Sequence, residues 1–394
     1  MSSTLSLPNT QSISRDARMV MALLKNLQGG ILELRLPNGD SHPFGTGAIR
    51  AVMQVQRDAL FEKVLARGDI GLAEAYIDGD WDSPDLAQLL TLLADNRQNL
   101  RKAIYGRWHH LITARLRHWL NGNSRAGSKK NIMAHYDLGN DFYRLWLDPS
   151  MTYSGALFES ENNDDLEGAQ EAKYRRVLHQ LEALPGQSVL EIGCGWGGFA
   201  EVATREGLQV TGLSLSPAQL AWARDKVPQA RLLLQDYRDN RQQFDHVVSI
   251  EMFEAVGQRW WPSYFKTVAQ ALPPSGKAVI QTITIRDDLF ADYRRGTDFI
   301  QQYIFPGGML PCGSAFREAA HQQGLKIVGE QAFGMCYART LVLWRDAFDR
   351  QWQHIAKLGF DDTFRRLWRF YLSYCEAGFR SGNIDVVQFE LKHQ

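Results

Sequence analysis

Net charge is missing from this chain. Lys+Arg and Asp+Glu both number 44 among 394 residues. A general nucleic-acid binder presents a basic surface, so that class is disfavoured, although a local basic patch remains open. Cysteine is scarce. Cys194, Cys312, Cys336 and Cys375 include no two at the spacing of a metal pair. The expectation is therefore no metal site and reduced thiols in the cytoplasm. No apolar run reaches the ~18 residues that a spanning helix needs. Met1 to Arg15 is too polar for a signal peptide, so membrane contact, where it occurs, is expected to be peripheral. No glycine loop ends in Gly-Lys-Ser or Gly-Lys-Thr, which excludes a P-loop.

What is present centres on Val189-Leu-Glu-Ile-Gly-Cys-Gly-Trp-Gly-Gly198. Val189 to Ile192 reads as a buried parallel strand. Gly193, Gly195 and Gly197 follow at alternate positions, and Phe199, Val202 and Ala203 then recur at helical spacing. Strand, tight turn and helix place free backbone N–H groups at a point where glycine lets a ligand approach closely. With Gly198 the spacing also satisfies the dinucleotide fingerprint. Glu191, two residues before the first glycine, matches the first motif of S-adenosylmethionine methyltransferases.

Around this stretch the chain divides. Residues 1–15 are polar and expected to be disordered. Residues 16–100 form a small domain: a short helix, a hairpin over Gly30 to Phe44 turning at Pro37-Asn-Gly-Asp40, then mostly helix from 49 to 100. Residues 101–129 are free of acids and interleave Arg101, Lys102, Arg107, Arg115 and Arg117 with Trp108, Leu111, Leu116 and Trp119. They read as a basic amphipathic helix and linker, suited either to an anionic membrane surface or to packing on the next domain. From 130 to 394, strands at 189–192, 209–213, 231–234, 244–250 and 277–285 alternate with helices. That pattern predicts an α/β, doubly wound, mainly parallel sheet whose ligand binds at the carboxyl ends of the strands.

His135-Tyr-Asp-Leu-Gly-Asn-Asp-Phe142, Met151-Thr-Tyr-Ser154, Glu191 to Gly198, Gln235-Asp-Tyr-Arg238, Met252-Phe-Glu-Ala-Val-Gly257, Tyr303-Ile-Phe-Pro-Gly-Gly308 and Gln388-Phe389, in this order, resemble the cyclopropane-fatty-acyl-phospholipid synthases and related mycolic acid methyltransferases. Gly71-Leu-Ala-Glu-Ala-Tyr76 and Asp78-Gly-Asp-Trp81 resemble the extra N-terminal domain of the bacterial synthases. The resemblance implies a Rossmann-like class I methyltransferase domain. It implies transfer of a methyl from S-adenosylmethionine to a cis double bond of a phospholipid acyl chain at the inner face of the membrane, then proton loss and ring closure. A methyl-branched or methylene product is the alternative within this fold, and a catalytically decayed lipid-surface protein the alternative of another class. A homodimer is compatible with either.

The same resemblance assigns cofactor contacts to Tyr153, Ser154, Glu191, Gly193, Cys194, Gly195, Trp196, Gly197, Ser214, Leu215, Ser216, Gln219, Asp236 and Tyr237. For Asp236 the residues alone also allow a turn or capping role. The family's base is a bicarbonate, with ligands matching Glu254, the Ile283 backbone and Tyr337. Two ligands depart from the best-known bacterial pattern: Gly155 stands in place of cysteine, and Gln281 in place of histidine. Glutamine still donates to an oxyanion but carries no charge. Cys375 matches a cysteine once regarded as the family nucleophile. This chemistry needs no covalent sulfur intermediate, so a structural or pocket role is expected for it. Trp196, Trp260, Trp261, Tyr303, Phe305 and Tyr337 are candidate aromatic faces for a cation.

Overall fold

The computed structural model describes residues 13–100, 138–160 and 164–394. The basic helix and linker expected at 101–129 lie outside the described residues, as does most of the expected polar tail. The chain forms two units, Met1–Asn131 with Asp362–Ala377, and Ile132–Asp361 with Gly378–Gln394.

The first unit is a mixed sheet with helices. Its strands are β1 (Gly29–Arg35), β2 (Ser41–Phe44), β3 (Gly47–Val55) and β4 (Trp81–Asp82), in the order β2-β1-β3-β4. Strands β1 and β2 form the hairpin expected from the sequence. Strand β3 runs parallel to β1 where helix was expected to begin. Its burial alternates from Ala51 onward, with Ala51, Met53 and Val55 turned inward, which is strand periodicity. Ser14 caps the helix Arg15–Leu24 by accepting from the Ala17 N–H, so order begins before the expected end of the tail.

Most of the helix Asp362–Arg380 belongs to this first unit, although the sequence reading assigns it to the catalytic domain. Arg366 explains the assignment. Its guanidinium donates to the carbonyls of Tyr76 (2.6 Å) and Trp81 (2.8 Å) and to the Asp82 carboxylate (3.0 Å). It also lies 4.0 Å from the Tyr76 ring centroid. A pairing across 284 residues has no local signal in the sequence.

The second unit is built on a seven-stranded sheet. Its strands are β5 (Ser188–Ile192), β6 (Gln209–Ser214), β7 (Arg231–Leu234), β8 (His246–Ile250), β9 (Lys277–Ile285), β10 (Leu325–Ala332) and β11 (Ile384–His393), in the order β10-β11-β9-β8-β5-β6-β7. The five expected strands pair in parallel. Strand β11 is inserted antiparallel between β9 and β10. Apolar side chains cover both faces. Phe199, Leu178 and Val248 belong to one layer, and Phe253, Phe265 and Phe389 to the other. A parallel sheet buried on both sides is the α/β, doubly wound architecture expected from the sequence.

The strand order reverses between β5 and β8, which are neighbours. The loops leaving their carboxyl ends diverge there and leave a crevice, the usual place for a ligand in an open sheet. The glycine loop leaves β5, and Glu251 follows the last residue of β8.

Candidate active site

A cavity of about 730 Å³ opens at this switch point. Every residue expected to contact the cofactor lines it except Gly197. Loop residues Gly193, Gly195 and Gly197 all have positive φ (+89°, +50° and +83°), so the alternate glycines are a backbone requirement. The loop is tied to β6, since the N–H groups of Gly193 and Cys194 both donate to the Leu213 carbonyl (3.0 and 2.9 Å). At Gly195 a Cβ would meet no protein atom within 4 Å. The space it would enter is the cavity.

Polar groups around the cavity are held in place. Trp196 donates its indole N–H to the Asn140 side-chain carbonyl (2.8 Å). Ser216 caps the helix Pro217–Lys226 by accepting from the Gln219 N–H (3.3 Å), and Ser214 Oγ accepts from the Ser216 N–H (3.1 Å). Asp236 performs the capping role that the residues alone allowed, accepting from the Arg238 N–H (2.9 Å). Its carboxylate also pairs with the Arg238 guanidinium through Nε and Nη2, which keeps its pKa low. Arg238, which the sequence reading did not single out, lines the cavity as well.

The floor of the site carries an unusual set of charges. Glu191 is buried, and among the described residues its Oε2 has no hydrogen-bond partner; burial pushes its pKa up to about 8. Lys173 is wholly buried. Its ammonium donates to Ser154 Oγ (2.5 Å) and Gln170 Oε1 (2.7 Å). Burial brings its pKa down to about 7, against the pull of Glu251, Asp148 and Glu191. Glu254 accepts from the Ile283 N–H, and burial together with the neighbouring Glu251 raises it to about 8.

Glu251 joins these groups. Its Oε1 accepts from the Gly155 N–H (2.8 Å) and from Gln281 Nε2 (2.7 Å), and its Oε2 accepts from the Tyr337 hydroxyl (2.6 Å). Gln281 is oriented in turn by its cross-strand partner: Gln388 Nε2 donates to Gln281 Oε1 (3.0 Å). The structure thus brings Glu254, Ile283, Gln281 and Tyr337 into one cluster with Glu251 as its hub. Of these, Glu251 alone lines the cavity. The sequence reading stopped at Met252 and missed it. A signal was available, because an acid directly after an apolar parallel strand at the switch point is a charge in need of partners.

The remaining candidates separate. Cys375 lies on the helix Asp362–Arg380 in the part that belongs to the first unit and does not line the cavity. Trp261 and Tyr303 are core residues, whereas Trp260 lines the cavity and is partly exposed. Among the described residues no group of three or more His, Cys, Asp or Glu is arranged to hold a metal ion, and no helix is long and apolar enough to cross a membrane.

Comparison with known proteins gives a consistent result. Residues 123–389 match the family model for mycolic acid cyclopropane synthetase. The tuberculostearic acid methyltransferase UfaA1 of Mycobacterium tuberculosis is 39% identical over 91% of this chain and 88% of its own length. The cyclopropane-fatty-acyl-phospholipid synthase of Escherichia coli is 34% identical over 87% of this chain and 88% of its own. The crystal structure of mycolic acid cyclopropane synthase CmaA1 complexed with SAH and CTAB superposes with a TM-score of 0.60 at 33% identity, covering 66% of this chain and 96% of that one.

Two outcomes are expected from this geometry. In Gly195→Val a branched side chain enters the cavity from a left-handed position, so S-adenosylmethionine binding is lost while the rest of the sheet stands. Calorimetry on the folded variant checks this, and unchanged affinity refutes it. The second outcome concerns pH. Glu191 and Glu254 hold their protons in the folded state up to about 8 and lose them at about 4.5 when unfolded. Their stabilisation is present at low pH and fades as pH rises through that window. Lys173 is charged in both states below about 7, so it does not offset this loss there. Glu191→Gln should therefore flatten the fall in Tm of the ligand-free protein between about pH 5 and 7. Parallel melting curves of variant and wild type would count against it.

Proposed function

The chain belongs to the mycolic acid cyclopropane synthetase family, and from that premise we propose that it transfers the methyl of S-adenosylmethionine to a cis double bond of an unsaturated phospholipid acyl chain and closes a cyclopropane ring. The observation that carries this reading is the switch-point cavity, which the glycine loop and the expected cofactor residues line together with Glu251. The alkene's π pair forms the new bond to the methyl carbon, and the S–C pair stays on sulfur. The second alkene carbon becomes cationic. Loss of a proton from the transferred methyl lets its C–H pair close the ring. An alkene is a poor nucleophile, so the protein contributes chiefly by holding the sulfonium methyl against the double bond. The aromatic faces of Tyr153, Trp196, Tyr237 and Trp260 line the cavity and suit a transient cation.

A second reading is a methyl-branched or methylene product, supported by the higher identity and coverage of the tuberculostearic acid methyltransferase. The base is the finer point. The resemblance implies bicarbonate, yet the side-chain donors it assigns to that anion, Gln281 and Tyr337, each hold an oxygen of Glu251, and the Ile283 N–H holds Glu254. The residues do not fit the anion as arranged.

Peripheral association with the inner face of a membrane is supported by the sequence from 101 to 130, which has no acid and eight Lys or Arg. Each cation near an anionic surface contributes about 1 kcal/mol. Replacing Arg107, Arg115 and Arg117 with Gln should weaken sedimentation with anionic vesicles, most of all at low salt. Unaltered sedimentation would assign the segment to a linker.

Incubation of the protein with S-adenosylmethionine and vesicles of an unsaturated phospholipid tests the reaction. Mass analysis of the acyl chains should show a gain of one CH2. Oxidative cleavage and NMR separate the ring from a methylene isomer. Lipid unchanged by a protein that binds S-adenosylmethionine rules the activity out.

A further inference from the structure

Proton abstraction needs a basic atom beside the transferred methyl, and the cavity wall supplies one. We propose that the carboxylate of Glu251 is the built-in base of this enzyme and stands where an external anion would otherwise bind. The assignment rests on the methyl-transfer reading above.

Position is the first argument. Glu251 directly follows β8 at the switch point and lines the same cavity as the glycine loop; Glu254, Gln281, Ile283 and Tyr337 do not line it. The second argument is the donor set. A backbone N–H, a side-chain amide and a phenol converge on Glu251 (2.8, 2.7 and 2.6 Å). Such a set binds a free carboxylate-like anion, and here it holds a side chain. Oε2 accepts from Tyr337 alone among these donors, so a lone pair on it stays open for a proton.

The third argument is that both departures from the bacterial ligand pattern serve this arrangement. A Cβ on Gly155 would lie 2.7 Å from the Tyr337 ring, so any larger residue there would push Tyr337 from its place. Gly155 therefore lets Tyr337 reach Glu251 and also supplies its own N–H. Gln281, turned by Gln388, presents an N–H where a protonated histidine would present a charge. A neutral donor fixes the carboxylate and lowers its basicity less than a cation would. Burial works against these donors and against the Lys173 charge, and raises the Glu251 pKa.

The backbone supplies the fourth. Glu251 has a φ of +51°, a left-handed conformation unusual for a residue with a side chain. Such strain costs about 1–3 kcal/mol and persists where the surroundings over-determine it, typically at a functional site. The strain turns the carboxylate toward the three donors. In the reaction, Glu251 takes the proton from the transferred methyl, the C–H pair becomes the ring bond, and the glutamic acid later returns its proton to solvent.

The test uses the full chain with vesicles of an unsaturated phospholipid, in buffer freed of carbon dioxide. Expected results are a wild-type rate indifferent to added bicarbonate, and a Glu251→Gln protein that binds S-adenosylmethionine normally yet forms product ~10²–10⁴-fold more slowly. Glu251→Gly fits the positive φ and vacates the donor set, so its low rate should recover with added formate or bicarbonate. A merely structural role would give no such rescue. Wild-type turnover that stops without bicarbonate and returns with it overturns the assignment. So does a fully active Glu251→Gln, or a folded Glu251→Gly that neither anion rescues. Absence of methyl transfer by the wild type itself removes the parent reading, and this assignment with it.

Discussion

A carboxylate at the end of a buried parallel strand must either find donors or stay protonated, and Glu251 finds three. Each hydrogen bond to a charged group is worth about 1.5–3 kcal/mol, so together they outweigh a strained φ costing about 1–3 kcal/mol. Much of the site is arranged to make those bonds. The pairing of β9 with β11 sets Gln388 opposite Gln281. The missing side chain at Gly155 admits Tyr337, whose ring stacks on Phe379 at 4.4 Å. The Glu251 charge helps to raise the Glu254 pKa and resists the fall that burial imposes on Lys173. A change at any of these positions is felt through the hub.

Much of this was readable from the residues. The five parallel strands and the glycine loop follow from apolar runs and turn residues, and the family resemblance supplies the expected cofactor residues, all but Gly197 of which line the cavity. These are local signals, with neighbours in sequence acting as neighbours in space. The rest is long-range. Glu251 acquires meaning only when Gly155 and Tyr337 arrive from 96 and 86 residues away. Arg366 secures the helix Asp362–Arg380 to the first unit through Tyr76, Trp81 and Asp82, which no period in the helix announces. Ala, Met and Gln within β3 favour helix, and pairing with β1 overrides that preference.

Gly155 and Gln281 look like losses when each is compared singly with the bacterial ligand pattern. Set beside Glu251 they form one arrangement, in which a side chain supplies the negative charge and its neighbours adapt in size and in donor type. The aliphatic ring chemistry expected of the family then needs no diffusible partner, and the same geometry is compatible with a product that keeps a branch. Asp236 gives the converse case. Its oxygens cap a turn and pair with Arg238, and the same residue lines the cavity.

The placement of β11 sets an order of assembly. It occupies an inner position of the seven-stranded sheet although it comes last, at Ile384–His393, and it carries Gln388, which turns Gln281 toward Glu251. While the chain emerges from the ribosome, β10 has no partner strand of its own sheet and Gln281 has no guide. The nascent protein can therefore build its glycine loop well before it can align its acid cluster. The two halves of the chemistry, holding the methyl donor and receiving the proton, are completed at different moments of synthesis.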